Sequence, residues 1–115
     1  MVDHIKIRKA DGTWTVRAGG AVLAESMNAL ELVEGDKAPV IYFPRSDIAM
    51  AFLEPTEELT RSPRMGDARY FSIETKSRTL ENAAWSYEAP VEGMDRIKDH
   101  IAFYTSSDEI AVERI

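Results

Sequence analysis

The sequence predicts a mainly β domain, built as an antiparallel sheet pair (a sandwich) or a partly open barrel, with one or two short helices. Three observations carry this expectation. Apolar runs are short and closely spaced, about eight or nine in all, and Gly, Pro, Asn, Asp or Ser bounds most of them. The opening runs alternate apolar and polar residues with the period of two that a half-buried strand requires. Helical spacing is confined to two stretches of a few residues. At 115 residues and 44% hydrophobic, one domain spanning 1–115 can bury a core without staples.

Ile5 and Ile7 alternate with Lys6 and Arg8, and Trp14, Val16 and Ala18 alternate with Thr15 and Arg17. Asp11-Gly12 between them is a two-residue hairpin signal, because both central positions of a type I′ turn take positive φ. A hairpin closed there pairs Ala10 with Thr13, Ile7 with Val16 and Ile5 with Ala18, which gives both strands one apolar face. Gly19-Gly20 ends it. Residues 21–25 read as a short buried strand. Residues 30–33 form the next, with Leu30 and Leu32 on one face, and Gly35-Asp36 is a turn. Residues 40–43 are continuously apolar between Pro39 and Pro44, which marks a strand covered on both faces.

Ser46 is placed to cap a short helix or helical turn, with Asp47 in its first turn. Ile48, Met50, Phe52 and Leu53 follow at helical spacing, and Pro55 stops the run. Residues 56–66, with mixed charges, a proline and a glycine, read as a long irregular loop. Residues 69–75 are a strand with Phe71 and Ile73 inward. Residues 83–87 are another, with Trp85 and Tyr87 on one face, ended by Pro90. Residues 93–100 form one helical turn through Met94 and Ile97. Residues 101–104 and 109–115 close the chain as two strands, with a turn at Ser107-Asp108.

Composition excludes several function classes. With no cysteine, disulfides, thiolate zinc sites, iron–sulfur clusters and a cysteine nucleophile are all ruled out. His4 and His100 lack ligand spacing, so no metal and no other cofactor is expected. Twenty acidic against fourteen basic residues give a net charge of −6, which repels phosphate backbones, so nucleic acid is not an expected partner. No apolar stretch reaches membrane-span length, and MVDHIKIRK lacks a signal-peptide core. These features predict a soluble cytoplasmic protein without membrane contact.

From Ile41 the chain reads IYFPRSDIAMAFLEPTEELTRSPRMGDARYF, preceded by GGAVLAES and followed by AAWSYEAP and IAFY. These blocks, in this order, resemble the domain-of-unknown-function family 427, also labelled a nucleotidyltransferase-like domain family. The shared signature runs from Tyr42 and Pro44 through Asp47 and Leu53-Glu54-Pro55 to the segment from Thr60 to Tyr70. In that segment the family pattern has Cys and Lys where this chain has Ser62 and Met65. The resemblance implies a small β-tent-like fold. Several β-tent domains hold zinc through cysteine pairs, which this chain lacks. Nucleotidyl transfer uses carboxylates holding Mg²⁺ beside a Gly-Ser phosphate turn, and no Gly-Ser with spaced aspartates is present.

The candidate ligand residues are Glu25, Ser26, Tyr42, Arg45, Asp47 and Tyr87. Glu25 and Ser26 end an apolar strand, where a carboxylate can act as a base or bond a neighbouring backbone N–H. Tyr42, Arg45 and Asp47 lie within six residues at a strand-to-helix junction. Arg45 offers a fork for a carboxylate or phosphate, and the helix start adds backbone donors. In the structural alternative Asp47 caps the helix and pairs with Arg45. Trp85, Tyr87 and Tyr70 form either an aromatic wall or core, with Tyr87 the member expected to reach solvent and Tyr104 following the same logic. Ser62 has no nearby base in sequence, and Glu54, Glu57 and Glu58 read as a solvated face.

Three functions follow. The first is binding of a small anionic molecule at the junction of residues 42–47. The second is a metal-independent enzyme using carboxylates and tyrosine as acid and base. The third is a protein-interaction module that uses an exposed strand edge. A pocket with two converging carboxylates favours the enzyme, and a pocket with Arg45 but no perturbed acid favours the binder.

Overall fold

The computed structural model describes residues 4–106 and 108–115. It is mainly β, with three antiparallel sheets built from ten strands among the described residues. The first sheet contains β1 (Ile5–Lys9), β4 (Leu30–Glu34) and β5 (Val40–Tyr42), in the order β1-β4-β5. The second contains β2 (Trp14–Ala18), β3 (Ala21–Ser26) and β10 (Ile110–Arg114), in the order β10-β2-β3. The third runs β6 (Leu53–Ser62), β7 (Gly66–Glu74), β8 (Thr79–Ser86) and β9 (Ile101–Phe103) in sequence order. No sheet closes into a barrel.

Short backbone stitches tie the sheets together. Phe43 and Ile101 exchange two hydrogen bonds, at 2.8 and 2.9 Å, and so join the first sheet to the third. The Ala49 amide donates to the Leu23 carbonyl at 2.7 Å, which anchors the segment after β5 onto β3. The main core lies between the sheets, around Val16, Leu23, Phe43, Ile73 and Ile101, all essentially inaccessible to water. A second cluster gathers Ile5, Leu32, Tyr42, Met65, Met94 and Ile97 beneath the loop that follows β8.

The strands at both ends of the chain pair over long range, and this overturns the opening hairpin. β1 pairs with β4, so Ile7 faces Leu32 and Ile5 faces Glu34. β2 pairs with β3 and β10. Asp11-Gly12 is a corner between two sheets, where the Ala10 amide donates to the Ala29 carbonyl and the Trp14 indole N–H to the Asp11 carbonyl. The tight two-residue turn lies one strand later. Gly19 and Gly20, at φ +56 and +81, close β2 onto β3 with Ala18 opposite Ala21. Both glycines have the positive φ of a type I′ turn. Local turn chemistry was present at both places, and burial of Ile5 and Ile7 against β4 decided between them.

The segment from 46 to 66 differs as well. Of the two forms expected after Ser46, helical turns are found and no α-helix. Two three-residue 3₁₀ turns, Arg45–Asp47 and Met50–Phe52, carry Ile48 and Leu53 into the core, and no side chain caps either turn. Residues 53–62 are the long strand β6 rather than a loop. β6 is an edge strand and most of its side chains are exposed, so it lacks the apolar alternation that signals a strand. Pro55 is tolerated there because an edge position need not donate to a neighbour, and a bulge between Pro55 and Leu59 absorbs the irregularity.

Of the remaining elements, the strand at 21–25 is only partly buried, with Val22 and Glu25 exposed, and Tyr87 lies just past the end of β8. Phe71 and Ile73 of β7 point inward, and a 3₁₀ turn at Asp95–Ile97 buries Met94 and Ile97. The chain closes with β9 and β10, which lie in different sheets. The turn expected between them falls partly on Ser107, outside the described residues.

Gly66 begins β7 at φ +114, opposite Ser62 and bridged to Pro90. A Cβ there would lie 3.1 Å from the Ala89 carbonyl oxygen and 3.2 Å from the Pro90 Cα, both backbone atoms. Gly66→Ala should therefore cost about 2 kcal/mol or more in urea unfolding, since strained φ and a backbone clash add. Gly35→Ala, where a Cβ meets nothing within 4 Å, should cost about 1 kcal/mol from φ alone. Equal losses would mean that the close approach at Gly66 is not felt.

Candidate functional site

The six sequence candidates separate into four places. Ser26 is buried, and its hydroxyl donates to Asp47 Oδ2 at 2.6 Å while accepting the Asn28 amide at 2.9 Å. Glu25, one residue earlier, is exposed. Asp47 thus ties its 3₁₀ turn to the end of β3 and neither caps a helix nor pairs with Arg45. The turn is a single one, and the Asp47 and Ile48 amides are already bonded to the Pro44 and Arg45 carbonyls.

Arg45 is held on several sides. Its Nε donates to the Asp99 carbonyl at 2.7 Å, and its Nη2 donates to Ser86 Oγ at 3.0 Å and Glu88 Oε2 at 2.9 Å. The guanidinium carbon lies 5.5 Å from the centre of the Phe71 ring. Pro44 and the Phe43–Ile101 stitch fix its starting point, so the fork bridges the 3₁₀ turn, β8 and the loop before β9.

Tyr42 is buried, and its hydroxyl accepts the Trp85 indole N–H at 3.3 Å across a T-shaped ring pair. Burial drives its phenol pKa well above the ordinary tyrosine value, more than the Trp85 bond lowers it. Tyr87 is partly buried in the same cluster, and burial, followed by the nearby Tyr70 and Glu34, pushes its pKa up to about 12. Glu34 is bonded to Arg64 and lies 3.8 Å from both Lys37 and His4. That carboxylate beside the tyrosines is therefore faced by two cations, Arg64 and Lys37, with the His4 imidazole alongside.

A cleft of about 530 Å³ opens on the other face of Trp85. Four aromatic side chains line it: Trp14, Trp85, Phe103 and Tyr104. Tyr104 packs on Trp85 with ring centres 4.8 Å apart. Pro39, Val40, Ile41 and Val112 supply aliphatic walls, and the exposed Thr105 and Ser106 form the rim. The one charged group in the lining is Glu31, whose carboxylate accepts from Arg8 Nε at 2.6 Å. A second depression of about 330 Å³ shares Trp14 and Glu31 with the cleft and adds Arg8, Lys9, Asp11 and Arg114. The two are adjoining lobes, one aromatic and one basic.

None of the six candidates lines either lobe. Sequence reasoning did reach Trp85 and Tyr104, as members of an aromatic wall. It missed Trp14, Glu31, Val112 and Arg114 because their convergence is topological. Pairing of β10 with β2 sets Arg114 opposite Trp14, and pairing of β1 with β4 sets Arg8 opposite Glu31. No local pattern encodes those pairings. Among the described residues no three His, Asp or Glu side chains gather as a potential metal site, and no helix is long and apolar enough to cross a membrane.

The family model described as a domain of unknown function, DUF427, matches residues 6–114, nearly the whole chain. No curated protein matches it.

Two measurements check this geometry. Arg45→Ala should lower unfolding free energy by about 1–3 kcal/mol, because it orphans the fully buried Ser86 hydroxyl and frees Glu88. Arg45→Lys should recover little of it, since an ammonium cannot span the same partners. A neutral Arg45→Ala would show that the fork is not structural. The second concerns pH. An unfolded chain ionises Tyr87 near pH 10, while the folded chain keeps it protonated to about 12. Above pH 10 the folded state therefore binds more protons, and stability falls as pH rises from about 10 towards about 12. Tyr87→Phe should make the decline of melting temperature over that interval shallower, and an unchanged slope would place the phenol in water.

Proposed function

Because the chain belongs to the DUF427 family, whose description names no activity, we propose a function from the cleft itself: the domain binds a small molecule with a planar apolar body and an anionic end. The observation that carries this reading is the shared wall of the two lobes. Trp14 and Glu31 belong to both, so one ligand of modest size can occupy both at once. The volume of the aromatic lobe falls in the range of roughly 300–1,000 Å³ common for small-molecule sites. Its four rings and four aliphatic walls provide apolar contact with few rotamers to freeze.

The basic lobe supplies the polar selection. Lys9 and Arg114 form no ion pair among the described residues. In a protein of net charge −6, unpaired cations at the mouth of an apolar cleft support an anionic ligand group. A small anion was also the expectation at residues 42–47. Support for it is stronger at the two lobes than at Arg45, whose guanidinium already has Glu88 as its anion. Acid–base catalysis draws less support, because the only carboxylate in the aromatic lobe is engaged by Arg8.

The chain has two tryptophans, and both line the cleft, so their fluorescence reports on it directly. Fused-ring aromatic acids should quench or shift that emission and raise the melting temperature in a concentration-dependent way. Thr105→Trp, at the exposed rim, should block the cleft and abolish the thermal shift while leaving the unliganded melting temperature within a few degrees. If no planar compound changes the emission at millimolar concentration, the cleft is not a ligand site.

A further inference from the structure

The charged groups around the shared wall carry one more step, which rests on the cleft reading. We infer that the Arg8–Glu31 ion pair is an internal stand-in for the ligand's anion: Glu31 occupies Arg8 in the empty site, and a ligand carboxylate takes its place.

Four features support this. The pair lies directly across the β1–β4 register, so Arg8 can reach Glu31 without leaving its strand position. The two partners are unequally exposed. The Arg8 side chain is 65% exposed, whereas that of Glu31 is 22% exposed and is drawn into the wall common to both lobes. A carboxylate at that spot already shows that the lobe accommodates one, held by a guanidinium N–H. Finally, Lys9 of β1 and Arg114 of β10 line the same depression as Arg8 and Glu31, with Asp11 the other acid there.

The stand-in has a cost for binding. While Glu31 remains, an incoming anion meets a like charge in a partly desolvated wall and must compete for Arg8. Like charges at such a site disfavour binding strongly, so Glu31 sets a threshold that only ligands with good ring contacts pass. The device also fixes ligand polarity. A cation of the same shape would keep Glu31 and use the aromatic faces. The abundance of basic groups at the mouth argues for the anion.

Three probes with one ring system separate the outcomes: 2-naphthoate, its neutral amide, and a naphthylmethyl trimethylammonium. Tryptophan fluorescence gives the dissociation constant for each. Glu31→Gln should tighten naphthoate binding roughly tenfold, leave the amide unchanged and weaken the ammonium. Lys9→Ala combined with Arg114→Ala, two exposed positions that preserve the fold, should weaken naphthoate alone and flatten its salt dependence. If Glu31→Gln weakens naphthoate, or tightens naphthoate and amide equally, the stand-in role is overturned while the cleft remains a ligand site. If the ammonium binds the wild type more tightly than naphthoate, the polarity is wrong and Glu31 is the ligand's own partner. Failure of all three to bind would overturn the cleft reading and this inference together.

Discussion

The pair of backbone hydrogen bonds between Phe43 and Ile101 is the constraint on which the rest of the molecule depends. It turns two separate sheets into one continuous surface, with β5 at the seam. Several special contacts gather beside that seam. Phe43 is fully buried there against Phe103, with ring centres 6.0 Å apart. Pro44 leaves the strand with a fixed φ, and Arg45 then reaches across to Ser86, Glu88 and the Asp99 carbonyl. Asp99 itself sits at φ +63, a conformation that a non-glycine residue adopts only when its surroundings hold it. The bond from Arg45 to its carbonyl is part of what holds it.

The seam also explains why the cleft exists. Val40 and Ile41 precede the stitch and still line the cleft, whereas Tyr42 and Phe43 turn into the two cores. Trp85 stands between the two environments. It meets Tyr42 and its hydroxyl on the buried side and Tyr104 on the open side. Its polar edge is thereby satisfied internally. The ring faces left towards the cleft need no hydrogen bond from water or ligand, and a site that selects for apolar planar matter requires such a wall.

How much of this was legible in the sequence depends on whether a signal was local. The strand at residues 40–43 announced itself by an apolar run between prolines. Phe71 and Ile73 announced themselves by alternation, and Met94 with Ile97 by spacing of three. β6 did not, because an exposed edge strand has no face to keep apolar and its proline, Pro55, resembles loop punctuation. The opening hairpin misled for the opposite reason. Asp11-Gly12 carries a strong turn preference, yet the strands on either side found better partners more than ten residues away in β4 and β10. The site suffered most. Its rings and charges come from β1, β2, β4, β8, β9 with the residue after it, and β10, and only the strand pairings bring them together. Arg45 stood out in sequence because its neighbours are special, and it proves special as a structural tie.

Ser62 and Met65, where the resemblance implies cysteine and lysine, have plain structural roles in this chain. Both lie at the hairpin between β6 and β7. Ser62 uses its hydroxyl to accept the amides of Arg64 and Met65, at 3.3 Å each, so a small hydrogen-bonding residue shapes the turn. Met65 is 6% exposed and packs in the cluster with Leu32, Tyr42, Met94 and Ile97. A lysine with the same buried path would have to bring its ammonium among these groups at a desolvation cost, offset only by the tyrosine hydroxyls and Glu34 nearby. Here the flexible thioether fills the space instead. The cation at this tip is supplied by Arg64, which pairs with Glu34 from outside. The carboxylate is thus neutralised from the solvent side, and the space next to the tyrosines is left apolar. Met65 thus helps to close the region around Tyr42 and Tyr87 into core, and the concave surface lies on the face beyond Trp85.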